Sequence, residues 1–407
     1  MRIAFIVEAF PKLSETFILN QVTALLNLGH DVEIFPSRNI DEVKTHPKVG
    51  KYGLLKKTFY PPIVPDLPIL QKLKCAWLVV KNFSNIEIIN RILSLPYPID
   101  SKISLFFRIL PLIGKEKFDI IHCHFGPLGN VAVQARSLGI LSGKMVLSFY
   151  GYDATRYNLD VRYYAGIVQQ FDAFIVISNY LKGKIIKLGF PEERIKTIPL
   201  GVDVSDYNIL KVKNKKTGHK LLTVARLVEK KGVYYGIMAF SQLKNKNKEL
   251  EYHIVGDGLL SDRLKELIEE LGLGECVFLH GAKNKEEIFQ FYRDADVFVL
   301  PSITASDGNT EGQGLVLQEA QLMELPIVST FHNGIPEGVV EDETGFLVPE
   351  RDIDALSEKI GTLLANEQLR TEMGKKGRDL VLERFDNRKL VEELSEYYKF
   401  ILTPLEG

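Results

Sequence analysis

Short runs of almost unbroken apolar residues recur along the whole chain, separated by longer amphipathic stretches. They fall at residues 3–7, 32–35, 120–122, 146–149 and 174–177 in the first half, and at 221–224, 251–255, 277–279, 297–300 and 326–329 in the second. A strand that is apolar on both faces must be covered on both, which is the condition of a parallel sheet flanked by helices. The pattern therefore predicts an α/β chain of two doubly wound, Rossmann-like domains. A length of 407 residues agrees, being too great for one core and enough for two of about 200 residues. Residues 1–199 and 200–387 are expected as the two domains, with lysine-rich residues 204–219 as the linker. Leu390, Leu394, Tyr397 and Tyr398 stand at helical spacing and predict a tail helix over 388–401.

The composition, 45% hydrophobic and 25% charged, excludes disordered, collagen-like and disulfide-scaffold chains. Cys75, Cys123 and Cys276 form no metal or redox motif and suit a reducing compartment. The start has an acid, Glu8, after a short apolar run and then Pro11, unlike a signal peptide. No run is long enough to span a bilayer. The expected place is the cytoplasm, at most on the inner face of a membrane. Residues 1–200 carry 25 basic and 16 acidic side chains, a balance of +9, whereas the remainder balances at −10. Residues 51–118 alone hold 11 basic and 4 acidic side chains. The first domain is thus expected to meet something anionic. Nucleic acid is not expected, since no aromatics are interleaved with the charge in a binding motif.

The first strand-to-helix turn, the usual phosphate site of this architecture, reads Ala9-Phe10-Pro11-Lys12-Leu13-Ser14-Glu15-Thr16-Phe17. The first glycine is Gly29, so the G-x-G-x-x-G fingerprint is missing and an ordinary dinucleotide enzyme is excluded. Ser14 reads equally as a helix N-cap or, with Glu15 and Thr16, as a polar contact at a cleft mouth. His122 and His124 close a strand without metal-ligand spacing, and read more readily as structural histidines than as ligands. Tyr150 to Asp153 follow another strand in a glycine-broken loop, where ligands bind in such sheets.

The second half carries more chemistry. Arg226 and Lys231 flank a strand-to-helix turn, where they can clamp a diphosphate or simply form a solvated surface. Val255-Gly256-Asp257-Gly258 is a strand followed by a tight turn. Glu311-Gly312-Gln313-Gly314-Leu315-Val316 opens a helix that carries Glu319. Acids there can take sugar hydroxyls while bare amides take phosphate charge, although two acids near a helix start also favour the dipole alone.

In this order, and over nearly the whole chain, these segments resemble the retaining glycosyltransferases of family 4, which have the GT-B architecture. The opening Phe10 to Phe17 further resembles a branch that builds bacterial exopolysaccharides, such as the colanic acid and amylovoran transferases. The resemblance implies two domains facing a central cleft, with residues 388–407 returning to pack on the first domain. It implies that Arg226 and Lys231 hold the diphosphate of a UDP- or GDP-sugar, Glu311 faces the donor sugar, and Glu319 binds the ribose. Gly312, Gln313, Gly314, Leu315 and Val316 would line the donor. Ser14, Glu15, Thr16, His124, Tyr150 and Asp153 would meet the donor sugar or the acceptor. No metal and no cofactor besides the co-substrate are expected. A polyprenyl-diphosphate-linked glycan is the implied acceptor. The rival readings are a sugar-nucleotide epimerase and a nucleotide-sugar-binding subunit without turnover.

Three departures stand out. Tyr150 occupies a frequent histidine position, Gln313 replaces a frequent aromatic and so bears on sugar selectivity, and Leu200 replaces a common asparagine at the hinge. Separately, Ile69, Leu70, Leu73, Trp77 and Val80 share one face of a helix over 69–81 flanked by Lys72, Lys74 and Lys81. That face reads first as core-facing and second as a peripheral contact with anionic membrane.

Overall fold

Every expected apolar run forms a strand in the computed structural model, which describes residues 1–12, 15–39, 45–82, 85–156, 159–207, 219–244 and 248–403. Strands β1 (Arg2–Val7), β2 (Asp31–Pro36), β3 (Ile120–His124), β4 (Lys144–Phe149), β5 (Ala173–Val176) and β6 (Ile195–Thr197) make one sheet. Their order is β2-β1-β3-β4-β5-β6. Strands β7 (Lys220–Val224), β8 (Glu251–Val255), β9 (Val277–Leu279), β10 (Val297–Leu300), β11 (Ile327–Thr330) and β12 (Gly345–Val348) make the other. Their order is β12-β11-β10-β7-β8-β9. All pairings between these strands are parallel. Two of the strands, β6 and β12, go beyond the apolar runs read from the sequence; both lie at sheet edges.

Alternate residues of β1 serve opposite cores. Ala4 and Ile6 join Ile121, Cys123, Leu147 and Phe149 on one face, while Ile3, Phe5 and Val7 join Ile120, Val146 and Ile175 on the other. This second face is closed by the last helix, Asn387–Leu402, through Leu390, Val391, Leu394 and Tyr398. Asp386 starts that helix by accepting from the Arg388 amide at 3.0 Å. Tyr398 then reaches His122, its hydroxyl 2.5 Å from Nδ1, and Ser148 Oγ lies 2.7 Å from Nε2. His122 is thus a satisfied core histidine, held neutral because burial lowers its pKa to about 3.

The helix Pro68–Lys81 corrects the core-facing reading. Its one buried side chain is Leu78, whereas Ile69, Leu73, Trp77 and Val80 are 68%, 63%, 58% and 73% exposed. The periodicity was that of an amphipathic helix, but the opposite side is the one that packs. Of the expected linker, Val204–Asp206 forms a single 3-10 turn and 208–218 lie outside the described residues. Among the described residues, no helix is long and apolar enough to cross a membrane.

Candidate active site

Strand order reverses beside β1 in the first sheet and beside β7 in the second, so the loops leaving β1, β3, β7 and β10 diverge at the carboxyl ends. Crevices of this kind are where ligands bind in open α/β sheets. Arg226 follows β7, Lys231 ends the short turn Glu229–Lys231, and Glu311 lies in the loop leaving β10. The fold brings Lys231 and Glu311 into an ion pair, with side chains only 10% and 13% exposed. Arg226 is exposed, free to meet a ligand in the crevice.

The pair has surroundings that the sequence alone did not reveal. Lys230 donates to the Thr310 carbonyl at 2.9 Å. The Glu311 amide donates to His332 Nε2 at 3.0 Å, and Nδ1 of the same ring lies 2.6 Å from Glu350. Accepting through Nε2 leaves the proton on Nδ1, facing the Glu350 carboxylate, which suits a neutral imidazole. Burial lowers the His332 pKa, with Glu350 and Glu311 opposing the shift. Burial alone would raise the Glu311 carboxyl, but Lys231, Lys230 and His332 outweigh it and hold it at about 2. The result is a carboxylate ionised at neutral pH beside cations, in a region of low solvent access.

Next to it, Gly314 has φ +79° and caps the helix Leu315–Leu322. A left-handed residue there aims the first amides of that helix, including those of Leu315 and Val316, away from the helix body, where they have no intrahelical acceptor. Glu319, one turn further, accepts from the Tyr292 hydroxyl at 2.9 Å, which fixes the direction of its carboxylate. Gln313 does not face a sugar. Its carbonyl accepts from the Leu200 amide at 2.7 Å and its NH2 donates to the Leu200 carbonyl at 2.8 Å. Both ends of the amide are consumed at the hinge, so the expectation that it sets sugar selectivity is corrected, and the Gln313 and Leu200 departures become one interaction.

On the first domain, Glu15 and Thr16 line a small pocket with Phe10, Lys12 and His46. Lys12 lies 2.5 Å from one Glu15 oxygen, while the other is buried with no hydrogen-bond partner among the described residues. Burial raises the Glu15 pKa despite Lys12. Ser14 lies outside the described residues. His124 and Asp153 are turned away from any ligand, which corrects their expected role. His124 is fully buried, stacked 4.2 Å from His122, with Nδ1 2.7 Å from the Tyr150 hydroxyl. Asp153 spends its carboxylate on the amides of Gly126 (3.1 Å), Tyr150 (3.1 Å) and Gly151 (2.8 Å), and so shapes the loop after β4. Tyr150 also packs on Phe17 and Phe125 at 4.7 and 4.8 Å between ring centroids.

The two domains touch at this loop. Thr155 and Thr310 hydroxyls are 3.0 Å apart, and Glu337 accepts from the amides of Asn179 and Tyr180 at 2.9 and 3.0 Å, capping a helix of the other domain. A Cβ on Gly312 would lie 2.3 Å from the Tyr150 carbonyl oxygen. Gly312→Ala is therefore expected to hold the domains apart and lower kcat/KM by about a hundredfold. Steady-state kinetics with small-angle scattering checks this; an unchanged rate and radius would show that the approach is not needed.

The sequence of the C-terminal half, residues 206–380, matches the model of glycosyl transferases group 1, and residues 14–206 match that of glycosyltransferase family 4. The glycosyltransferase WcaL of Escherichia coli K12, assigned to colanic acid biosynthesis, is 34% identical over 97% of this chain and 98% of its own. The chain belongs to glycosyltransferase family 4. The transferase is also 35% identical to AmsK of Erwinia amylovora, an amylovoran biosynthesis glycosyltransferase, over 88% of this chain and 89% of that one. Its GT-B fold is shared with Anabaena HepE, solved with UDP, at a TM-score of 0.69, 20% identity and coverage of 98% and 100%. The sucrose-phosphate synthase of Thermosynechococcus elongatus shares it at 0.73 and 18%, covering 98% and 99%.

Proposed function

We propose that this transferase is retaining and metal-independent, and moves a sugar from a UDP- or GDP-sugar to a glycan acceptor during assembly of a bacterial exopolysaccharide. The observation that carries the reading is the ionised Glu311 held by Lys231 beside Arg226 and a helix N-terminus, all at the switch point of the second sheet. Breaking the bond between the anomeric carbon and the diphosphate leaves positive charge on the sugar and negative charge on the phosphate. Glu311 suits the first, while Arg226, Lys231 and the Leu315 and Val316 amides suit the second without reorganisation. The acceptor oxygen then bonds the anomeric carbon on the face the phosphate leaves. Its proton passes to the departing phosphate oxygen, so the protein need supply no separate base.

The likeness to WcaL and AmsK supports the exopolysaccharide setting, and the UDP in the HepE structure supports a nucleoside diphosphate in the donor site. A polyprenyl-diphosphate-linked glycan, elongated at the cytoplasmic side, is the acceptor this setting implies.

Thermal unfolding with UDP, GDP and their sugars, with and without EDTA, tests the donor reading. One nucleotide is expected to raise Tm by mass action, equally in EDTA, and Glu319→Gln to shrink that rise and increase donor KM about tenfold with kcat retained. No rise with any nucleotide would remove the donor site, and a rise abolished by EDTA would remove metal independence. The anomeric configuration of the product, read by NMR, decides retention. One observation favours the rival binding-subunit reading: the Tyr150 hydroxyl is engaged with His124. Donor binding with no turnover on any acceptor would establish that rival.

A further inference from the structure

We infer that the outer face of helix Pro68–Lys81, with the segment leading into it, is a docking surface for an anionic lipid bilayer. Ile69, Leu73, Trp77 and Val80 follow one another at spacings of four, four and three, a single stripe along about 20 Å of helix. All four are more than half exposed. In the chain leading into the helix, Ile63 and Leu67 are a further 71% and 59% exposed. A folded chain leaves single apolar side chains in water freely, but a contiguous set of this kind marks an interaction surface.

The charge around the stripe selects the partner. Between residues 56 and 102 there are seven basic side chains (Lys56, Lys57, Lys72, Lys74, Lys81, Arg91, Lys102) and three acidic ones (Asp66, Glu87, Asp100). Lys72 and Lys81 are exposed on the same helix, and the Lys81 ammonium lies 5.2 Å from the centre of the Trp77 ring. Apolar side chains in a row, an aromatic among them, and lysines able to extend toward phosphates are the elements of a helix lying in the plane of a membrane interface. A protein partner with an apolar groove would need no such excess of one charge sign. The position relative to the cleft suits the same occupant. Tyr60 donates to the Phe10 carbonyl at 2.8 Å, and Asn39 donates to the Pro61 carbonyl at 3.0 Å. The segment entering the helix is thereby fastened to the loop that lines the Glu15 pocket, so docking of the helix would be felt at that loop.

Trp77 is the chain's single tryptophan, so its own fluorescence reports the contact. Vesicles of phosphatidylethanolamine and phosphatidylglycerol in equal parts are expected to shift its emission to shorter wavelength and to carry the protein down on centrifugation. Added salt should weaken both effects, as should pure phosphatidylcholine. Leu73→Glu with Val80→Glu should reduce sedimentation at least tenfold, and Lys72→Gln with Lys81→Gln should reduce it less and flatten its salt dependence. Both variants should keep the far-UV circular dichroism and the urea midpoint of the native protein, which shows that they are folded. The inference fails if native protein neither shifts nor sediments at low salt, or binds phosphatidylcholine equally well. It fails too if sedimentation equilibrium shows a dimer that Leu73→Glu breaks, since a second copy would then be what covers the face. These readouts do not depend on glycosyl transfer, so a failure of the proposed reaction leaves them standing and the reverse.

Discussion

Lys231→Ala is expected to cost the transferase both its turnover and part of its stability. The ammonium is the direct partner of Glu311, and both side chains are nearly closed off from solvent. Removing it leaves a buried carboxylate without its ion-pair partner, and breaking such a pair typically destabilises by about 3 kcal/mol or more. It also removes one of the preorganised charges placed for the leaving diphosphate, for which a loss of about a thousandfold in kcat/KM is the expected scale. The two effects separate in the double variant Lys231→Met with Glu311→Gln. That protein should recover most of the urea midpoint and none of the rate. Recovery of both would show that the pair serves only the fold; loss of the midpoint alone in Lys231→Ala would show the same.

Glu311→Gln should act differently, lowering kcat by about a hundredfold while leaving donor KM within a few-fold. Glutamine keeps the shape and loses the charge that faces the developing positive sugar. It also changes the acid response. The Glu311 pKa falls from 4.5 to about 2 on folding, so the ionised pair contributes stability that is fully present above pH 4.5 and is lost as the pH falls toward 2. The native protein should therefore lose stability more steeply than Glu311→Gln between pH 4.5 and 2, as read by urea unfolding at several pH values. Parallel slopes would mean that Glu311 titrates near its ordinary value and is not held by Lys231.

Much of this arrangement was legible before the structure, and what was not has physical reasons. Central strands such as Val297–Leu300 are buried on both faces, so their residues are apolar without a break. The edge strand β6, Ile195-Lys196-Thr197, has one neighbour and only Ile195 buried, so it carries no such run. Lys231, Glu311 and Glu319 could be named because they stand beside the turns that position them. His332, Glu350 and Lys230 could not, because they gather around the Glu311 loop only when β7, β10, β11 and β12 are brought side by side. Gln313 was placed in the right loop and given the wrong direction: backbone position follows from local sequence, but its amide is turned by the distant Leu200. The helix Pro68–Lys81 teaches a related limit. Spacing shows that a helix has an apolar stripe and says nothing about whether protein, lipid or water lies against it.

The last helix places the end of the chain inside the core of its beginning. Tyr398 is fully buried and supplies the hydroxyl that His122 meets, 276 positions earlier. While the polypeptide is being synthesised, the first domain can therefore form its sheet but not seal it. Ile3, Phe5 and Ile120 wait uncovered, and Nδ1 of His122 lacks the Tyr398 hydroxyl, until residues 387–402 have been made. The second domain folds in the meantime, between the two halves of an unfinished first one. A chain cut short anywhere before residue 387 lacks a lid for its N-terminal core.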